Sequence, residues 1–186
     1  MSASRSTPSN LGCALLGLLA RSPSTGYDLA KRMERPVGYF WTANHSQIYP
    51  ELSRLEEAGL VDHTVIEGAG PRPTKRYAVT SAGLEALRDW VASEMETQPV
   101  RDLETLRLWS IWTVDASEAE SLVAQSRSRH AAALTAYEAE LAGIADDPSA
   151  RDRTQPLFAS RLTLEGGIRT RRAALEWCDW MASELA

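Results

Sequence analysis

The stretch from His45 to Val79 limits the possible folds more than any other part of the chain. It reads His45-Ser-Gln-Ile-Tyr-Pro-Glu-Leu-Ser-Arg-Leu-Glu-Glu-Ala-Gly-Leu-Val61, then a short polar strand, a Gly/Pro break and Lys75-Arg-Tyr77. Ile48, Leu52 and Leu55 fall at i, i+4 and i+7, one apolar stripe of helical period. Gly59 stands where a left-handed C-terminal cap belongs. Residues 60–66 and 75–79 then read as strands on either side of Gly68-Ala-Gly-Pro-Arg-Pro73. This is the order of a recognition helix followed by a β-hairpin wing. The face opposite the stripe carries Ser46, Gln47, Tyr49, Ser53 and Arg54. These are hydrogen-bonding groups rather than the usual Glu/Lys solvent mix, and they suit phosphates and base edges in a major groove. The plainer alternative is a solvated helix face.

The residues upstream supply the rest of a helix-turn-helix. Leu11, Ala14, Leu15, Leu18 and Leu19 predict a helix over about 11–21, ended by Ser22-Pro-Ser24. Thr25-Gly-Tyr-Asp28 reads as an N-cap with its acid three residues on. It opens a second helix to about Arg35, with Leu29, Ala30 and Met33 inward. Pro36-Val-Gly38 breaks that helix. Tyr39, Phe40 and Trp41 are expected to fill the gap between helices, with Trp41 doubling as a ligand contact. Asn44 is expected to cap the third helix, with Gln47 at the capping-box position. Pro50 removes one backbone bond, but the apolar stripe continues across it. Thr80 caps a fourth helix running through Leu84, Leu87 and Val91 to about Met95.

Gln98-Pro99 marks a boundary. The expected organisation is a loose tail over 1–10, a winged helix-turn-helix domain over 11–97 and a helical dimerisation domain over 98–186. Asp102 to Trp112 reads as a helix with Leu103, Leu106 and Trp109 inward. Ser117-Glu-Ala-Glu120 reads as a capping box that opens a long helix to about Gly143. In it Val123, Arg127, His130, Leu134, Tyr137 and Leu141 step by 4 and 3, a coiled-coil spacing with polar interruptions. His130 reads as a partly buried seam residue. The last helix, about 156–185, repeats the spacing with Leu164, Ile168, Arg171, Leu175, Cys178, Ala182 and Leu185. Its Gly166-Gly167 pair costs roughly 1 kcal/mol per glycine against alanine, tolerable where another backbone crosses closely. Two seams this wide ask for a second copy of the chain. The expected fold class is mainly α with a small β-hairpin: a winged helix-turn-helix plus a coiled-coil-like dimerisation domain.

A formal charge of −5 looks wrong for a nucleic-acid binder until it is divided. Residues 1–79 hold 9 Arg/Lys against 7 Asp/Glu, and residues 80–186 hold 11 against 18. The acid lies in the second half, so a local basic patch remains for phosphates. Arginine outnumbers lysine 18 to 2, which with abundant alanine reads as coding bias in a GC-rich genome. No run of 18 apolar residues exists, so no membrane span is expected. The polar N-terminus lacks the order of a signal peptide. Cys13 and Cys178 lie in apolar helical patterns far apart, without CxxC, and His45, His63 and His130 are scattered. No metal or cofactor spacing results, and two buried reduced thiols fit a cytoplasmic protein. Gly68-Ala-Gly70 is followed by neither Gly-Lys-Ser/Thr nor a helix, and no motif suggests a Ser/His/Asp or Cys/His arrangement. Enzymatic activity is therefore not expected.

Taken together, the chain resembles the PadR family of bacterial transcription regulators. The resemblance rests on Leu15-Leu-Gly-Leu-Leu19, Gly26-Tyr-Asp-Leu29, Gln47-Ile-Tyr-Pro-Glu-Leu52, Arg54-Leu-Glu-Glu-Ala-Gly-Leu60, Lys75-Arg-Tyr77 and Thr80-Ser-Ala-Gly83. Leu106-Arg-Leu108, Glu165-Gly-Gly-Ile-Arg169 and Leu175-Glu-Trp177 are similar to the helical C-terminal domain of its virulence-activator branch. The resemblance implies a winged helix-turn-helix, a homodimer built by the C-terminal helices, repression by default and often a small-molecule effector. Carried onto this chain, Tyr27, Gln47, Tyr49 and Arg54 would touch DNA, and Arg72, Lys75 and Arg76 would touch phosphates. Asn44, His45, Ser46 and Ser53 complete the candidate DNA surface. Trp41, Trp90, Trp109 and Trp112 either anchor helix packing or hold a flat aromatic effector near the junction of the domains. The expected function is a sequence-specific regulator binding a palindromic operator as a homodimer. The alternative is a winged-helix protein-interaction module without DNA binding, which need not keep Arg72, Lys75 and Arg76 as a DNA reader does.

Overall fold

The computed structural model describes residues 8–34, 37–39, 41, 44–67, 73–95 and 101–186. The chain divides into two compact units, Met1–Glu96 and Thr97–Ala186.

In the first unit, α1 (Asn10–Arg21), α2 (Gly26–Glu34) and α3 (His45–Glu57) enclose one core. Leu15, Leu16 and Leu19 from α1 meet Leu29 and Met33 from α2 and Ile48, Leu52 and Leu55 from α3. Ser9 caps α1 by accepting from the Gly12 N–H at 3.0 Å. Thr25 Oγ1 accepts from the Asp28 N–H at 3.1 Å, and Asp28 Oδ2 accepts from the Thr25 N–H at 3.3 Å. That is the reciprocal cap expected for α2. Helix α3 ends in a Schellman motif: Gly59 has φ +70, its N–H reaches Glu56 O, and the Leu60 N–H reaches Leu55 O. Three antiparallel strands follow the order β1 (Ser24–Thr25), β3 (Thr74–Val79), β2 (Val61–Ile66). The two-residue β1 went unread because Ser22-Pro-Ser24 carries only a stop signal for α1. It pairs Ser24 with Tyr77 and Thr25 with Arg76, closing one edge of the hairpin.

Helix α4 (Ser81–Ala92) begins at Thr80, whose Oγ1 accepts from the Gly83 N–H at 3.1 Å and donates to Gly59 O at 2.8 Å. A Cβ at Gly83 would stand 2.0 Å from Leu60 O, so this glycine lets α4 close onto the end of α3. The helix stops three residues short of Met95 because Ser93 is extended. Val91, on the expected apolar stripe, is exposed, and so is Met95 beyond the helix end. Trp41, expected in the core, is 40% exposed in the loop ahead of α3, its N–H held by Val37 O. Phe40, Arg72, the 68–72 turn and Gln98-Pro99 lie outside the described residues.

The second unit is an antiparallel-type pairing of two long helices, α6 (Ala116–Ile144) and α7 (Pro156–Leu185), preceded by the short α5 (Leu103–Trp109). The α6 cap is Asp115 with Glu118, two residues before the expected Ser117 box. Both pairs satisfy the same spacing, and Asp115 is the stronger acceptor. Val123, His130 and Tyr137 are buried as the seam predicts, as are Leu164, Ile168 and Cys178. Arg127 instead points out to Asp179 at 2.6 Å, and Met181 replaces Ala182 at the end of the α7 seam. At Gly167 a Cβ would sit 2.7 Å from the Tyr137 ring, whereas Gly166 faces open space. One glycine of the pair thus serves a close approach, by a ring rather than a backbone. Helix α5 is turned over relative to expectation. Leu108 and Ile111 pack on Val123, Cys178 and Met181, while Leu103, Leu106 and Trp109 are 68%, 62% and 82% exposed. The segment carries apolar side chains on both faces, so periodicity alone did not choose between them.

Candidate nucleic-acid interface

With Ile48, Leu52 and Leu55 buried, the helical period turns Ser46, Gln47, Tyr49, Ser53 and Arg54 outward, and all five are exposed. Asn44 and His45 are also exposed at the start of α3. Local contacts set what each can offer. The Asn44 N–H donates to Gln47 Oε1 at 3.2 Å, leaving the Gln47 amide with two free donors. His45 Nε2 lies 2.9 Å from Glu34 Oε1. Ser53 Oγ donates back to Tyr49 O at 3.2 Å. The Tyr49 ring rests on Gly26, where a Cβ would stand 2.5 Å from Cε1. Tyr27, beside it in sequence on α2, is 62% exposed, with Lys31 Nζ 4.8 Å from its ring centre.

Sequence reasoning missed the residue that fixes Arg54. Glu51 is 5% exposed, an acid on the inner side of α3. Its Oε1 accepts from Ser9 Oγ at 2.6 Å and its Oε2 from Arg54 Nη1 at 2.9 Å. A Cβ at Gly12 would stand 2.7 Å from Oε1, so the glycine makes room for the carboxylate. Burial, then the Glu51 charge, push the neighbouring Cys13 thiol up to about 11. The available signal was one acid beside the apolar stripe, three residues before an arginine.

On the wing, Lys75 and Arg76 are exposed. In the β2–β3 register, His63 stands opposite Tyr77 and Val65 opposite Lys75. Glu56, in the last turn of α3, accepts from Lys75 Nζ at 3.2 Å and bonds His63 Nδ1. The His63 bond, then Lys75, hold the Glu56 carboxyl below its ordinary range.

In the second unit, ligand-type atoms of Glu104, His130 and Cys178 lie within 4.8 Å of one another. Arg171 Nη1 donates to His130 Nδ1 at 3.1 Å, so Nε2 carries the proton and meets Glu104 Oε1 at 3.1 Å. That nitrogen has no lone pair for a metal, and Arg129 adds a second guanidinium 3.5 Å from Glu104. The cluster suits a polar clip tying α5 to α6 and α7. Of the candidate effector residues, Trp41 and Trp90 belong to the first unit, and Trp109 and Trp112 to the second. Trp109 and Trp112 are each 82% exposed. A groove of about 730 Å³ in the second unit is lined by Leu106, Ile111, Val114 and Leu122 with Arg107 and Glu118, and by neither tryptophan.

A helix-turn-helix followed by a two-stranded wing, its sheet completed by β1, defines the winged-helix class, here joined to a helical second unit. The Transcriptional regulator PadR-like family matches residues 15–89, and Virulence activator alpha C-term matches residues 100–186. A probable transcriptional regulator of Mycobacterium tuberculosis, Rv1176c, is 32% identical over 182 residues, 92% of this chain and 95% of its own. The negative transcriptional regulator PadR of Bacillus subtilis is 27% identical, over 89% of this chain and 92% of its own. Its crystal structure in complex with operator DNA superposes with a TM-score of 0.83 at 25% identity, over 95% of this chain and 99% of that one. The same protein has been solved in complex with p-coumaric acid, with a TM-score of 0.73 at 27% identity, over 94% and 98% of the two chains. The chain belongs to the PadR-like family of DNA-binding transcriptional regulators, in the branch with a virulence-activator C-terminal domain. This is a family of regulators, not of enzymes. Among the described residues no helix is long and apolar enough to cross a membrane.

Proposed function

We propose that the protein represses transcription in the cytoplasm by binding a palindromic operator as a homodimer, and that a small aromatic effector releases it. The observation that carries the DNA reading is the outer face of α3, with Arg54 held in place by the buried Glu51. In this reading α3 enters the major groove with Ser46 and Gln47 at base edges, as the N-terminal residues of a recognition helix. Gln47 has its oxygen committed to Asn44, so it reads by donation, to guanine O6 and N7 or thymine O4. Tyr27, Asn44, His45, Tyr49, Ser53 and Arg54 flank it on the backbone, Arg72 and Arg76 seat the wing on phosphates, and Lys75 supports the wing. The operator-DNA complex of the Bacillus subtilis relative supports the assignment, and that relative's name as a negative regulator supports repression.

Dimerisation is supported by Leu103, Leu106 and Trp109, an apolar face larger than a solvated helix of this length needs. The aromatic effector is supported by the p-coumaric acid complex of the relative and by the exposure of Trp41, Trp90, Trp109 and Trp112. Selection of bound duplex from a random pool tests the function. The expected result is an inverted repeat with half-sites about 10 bp apart, or a multiple of that. Enrichment of a single unrepeated site, by a protein that sediments as a monomer, contradicts the dimeric reading. Enrichment of nothing contradicts the operator.

A further inference from the structure

The wing cations are not equivalent. Alternation along β3 puts Lys75 on the face of Tyr77, whose ring enters the core, and Arg76 on the other face. Lys75 Nζ lies 3.2 Å from Glu56 Oε2 and 6.0 Å from the Tyr77 ring centre. The other Glu56 oxygen is bonded by His63, whose ring centre is 5.9 Å from that of Tyr77. One carboxylate at the end of the recognition helix thus holds a side chain from each strand of the wing. Glu56 is 27% and His63 26% exposed, so the contact is partly shielded from solvent. Among the described residues Arg76 has no such partner.

We infer that Glu56 is a positioning residue, a brace that fixes the wing to the end of the recognition helix through Lys75 and His63, and that Lys75 aids DNA binding through this brace rather than through a phosphate. The inference rests on the DNA-binding reading of α3 and the wing. It runs against simple electrostatics, because an acid beside a DNA surface ordinarily repels DNA. A brace must be kept, whereas a repelling acid is better removed.

The test uses the full chain and a duplex selected by the wild-type protein from a random pool. Glu56→Gln is expected to weaken binding about two- to fivefold, the range of a partly exposed ion pair, although it removes a negative charge. Lys75→Ala is expected to weaken binding with an unchanged salt slope, whereas Arg76→Ala lowers the log–log slope by about 1. The charge swap E56K/K75E is expected to restore both the affinity lost in K75E and the protection of the wing amides, of which restored net charge alone would return only the first. Tighter binding by E56Q, or a slope reduced by about 1 in K75A, overturns the inference. Hydrogen exchange of the β2 and β3 amides is the DNA-independent arm. Faster exchange in E56Q and K75E, reversed in the swap, is expected, and unchanged exchange in E56Q overturns the brace. A wild-type protein that selects no duplex overturns the DNA reading instead.

Discussion

The two units bury their apolar residues to very different degrees. The winged-helix unit closes its core within one chain: Leu15, Leu16, Leu29, Ile48 and Leu52 are fully buried, and apart from Pro50 and the Tyr49 ring what remains outside on α3 is polar. The helical unit buries one seam and leaves Leu103, Leu106, Trp109 and Trp112 in solvent. A core that is complete identifies its outer face as a surface for something polar. One that is incomplete points to a missing apolar partner. The contrast separates the two jobs we assign: reading DNA and pairing with a second copy.

The largest effect that would sharpen this contrast is at Leu52. Leu52→Ala should cost about 2–5 kcal/mol in denaturant unfolding, the range for an emptied core site. Leu106→Glu should leave the fold of a single chain nearly untouched but turn the sedimenting species from dimer to monomer. A Leu106→Glu protein that still sediments as the wild type would break the comparison, because the exposed face would then have no role in pairing.

A second contrast lies within α7. Gly167→Ala must displace the Tyr137 ring, an overpacking that costs roughly 1–3 kcal/mol. Gly166→Ala meets nothing and should stabilise the helix by up to about 1 kcal/mol. Thermal unfolding of the two variants should therefore move in opposite directions.

The effect that is smallest at neutral pH is a titration. The Cys13 thiol, ordinarily near 9.0, is raised to about 11, so the folded state keeps its proton longer than the unfolded chain. Its contribution to stability is full below pH 9 and is lost as pH rises towards 11. Alkylation by iodoacetamide at pH 8 should be slow in the native protein and fast once it unfolds. Rapid native labelling of Cys13 would contradict the buried packing of α1.

The same contrast explains what could be read from sequence. The helix-turn-helix was legible because its signals are local: the Thr25–Asp28 cap, the Ile48–Leu52–Leu55 stripe, Gly59 and Thr80 each specify structure within a few residues. Most of the polar face of α3 followed from that register. Its supports did not, because Glu51–Ser9 and Glu56–Lys75 join residues 42 and 19 positions apart. No periodicity encodes such pairings. In the second unit, the helix lengths and most of the long seams were legible. The orientation of α5 was not, since two apolar faces compete and only tertiary packing chooses Leu108 and Ile111. Trp41 and Val91 misled for a related reason: an apolar side chain is a one-way indicator, and many stay on the surface.

The central claim is that α3 reads bases while the wing seats the protein on the backbone. It is tested most directly by repeating the random-pool selection with Gln47→Ala and Arg76→Ala beside the wild type. The account predicts that Gln47→Ala relaxes one position in each half-site, a G or T in the wild-type site, by roughly 1–3 kcal/mol of discrimination. Arg76→Ala should weaken all sequences alike and leave the selected site unchanged. A changed site with Arg76→Ala and an unchanged one with Gln47→Ala would contradict the account.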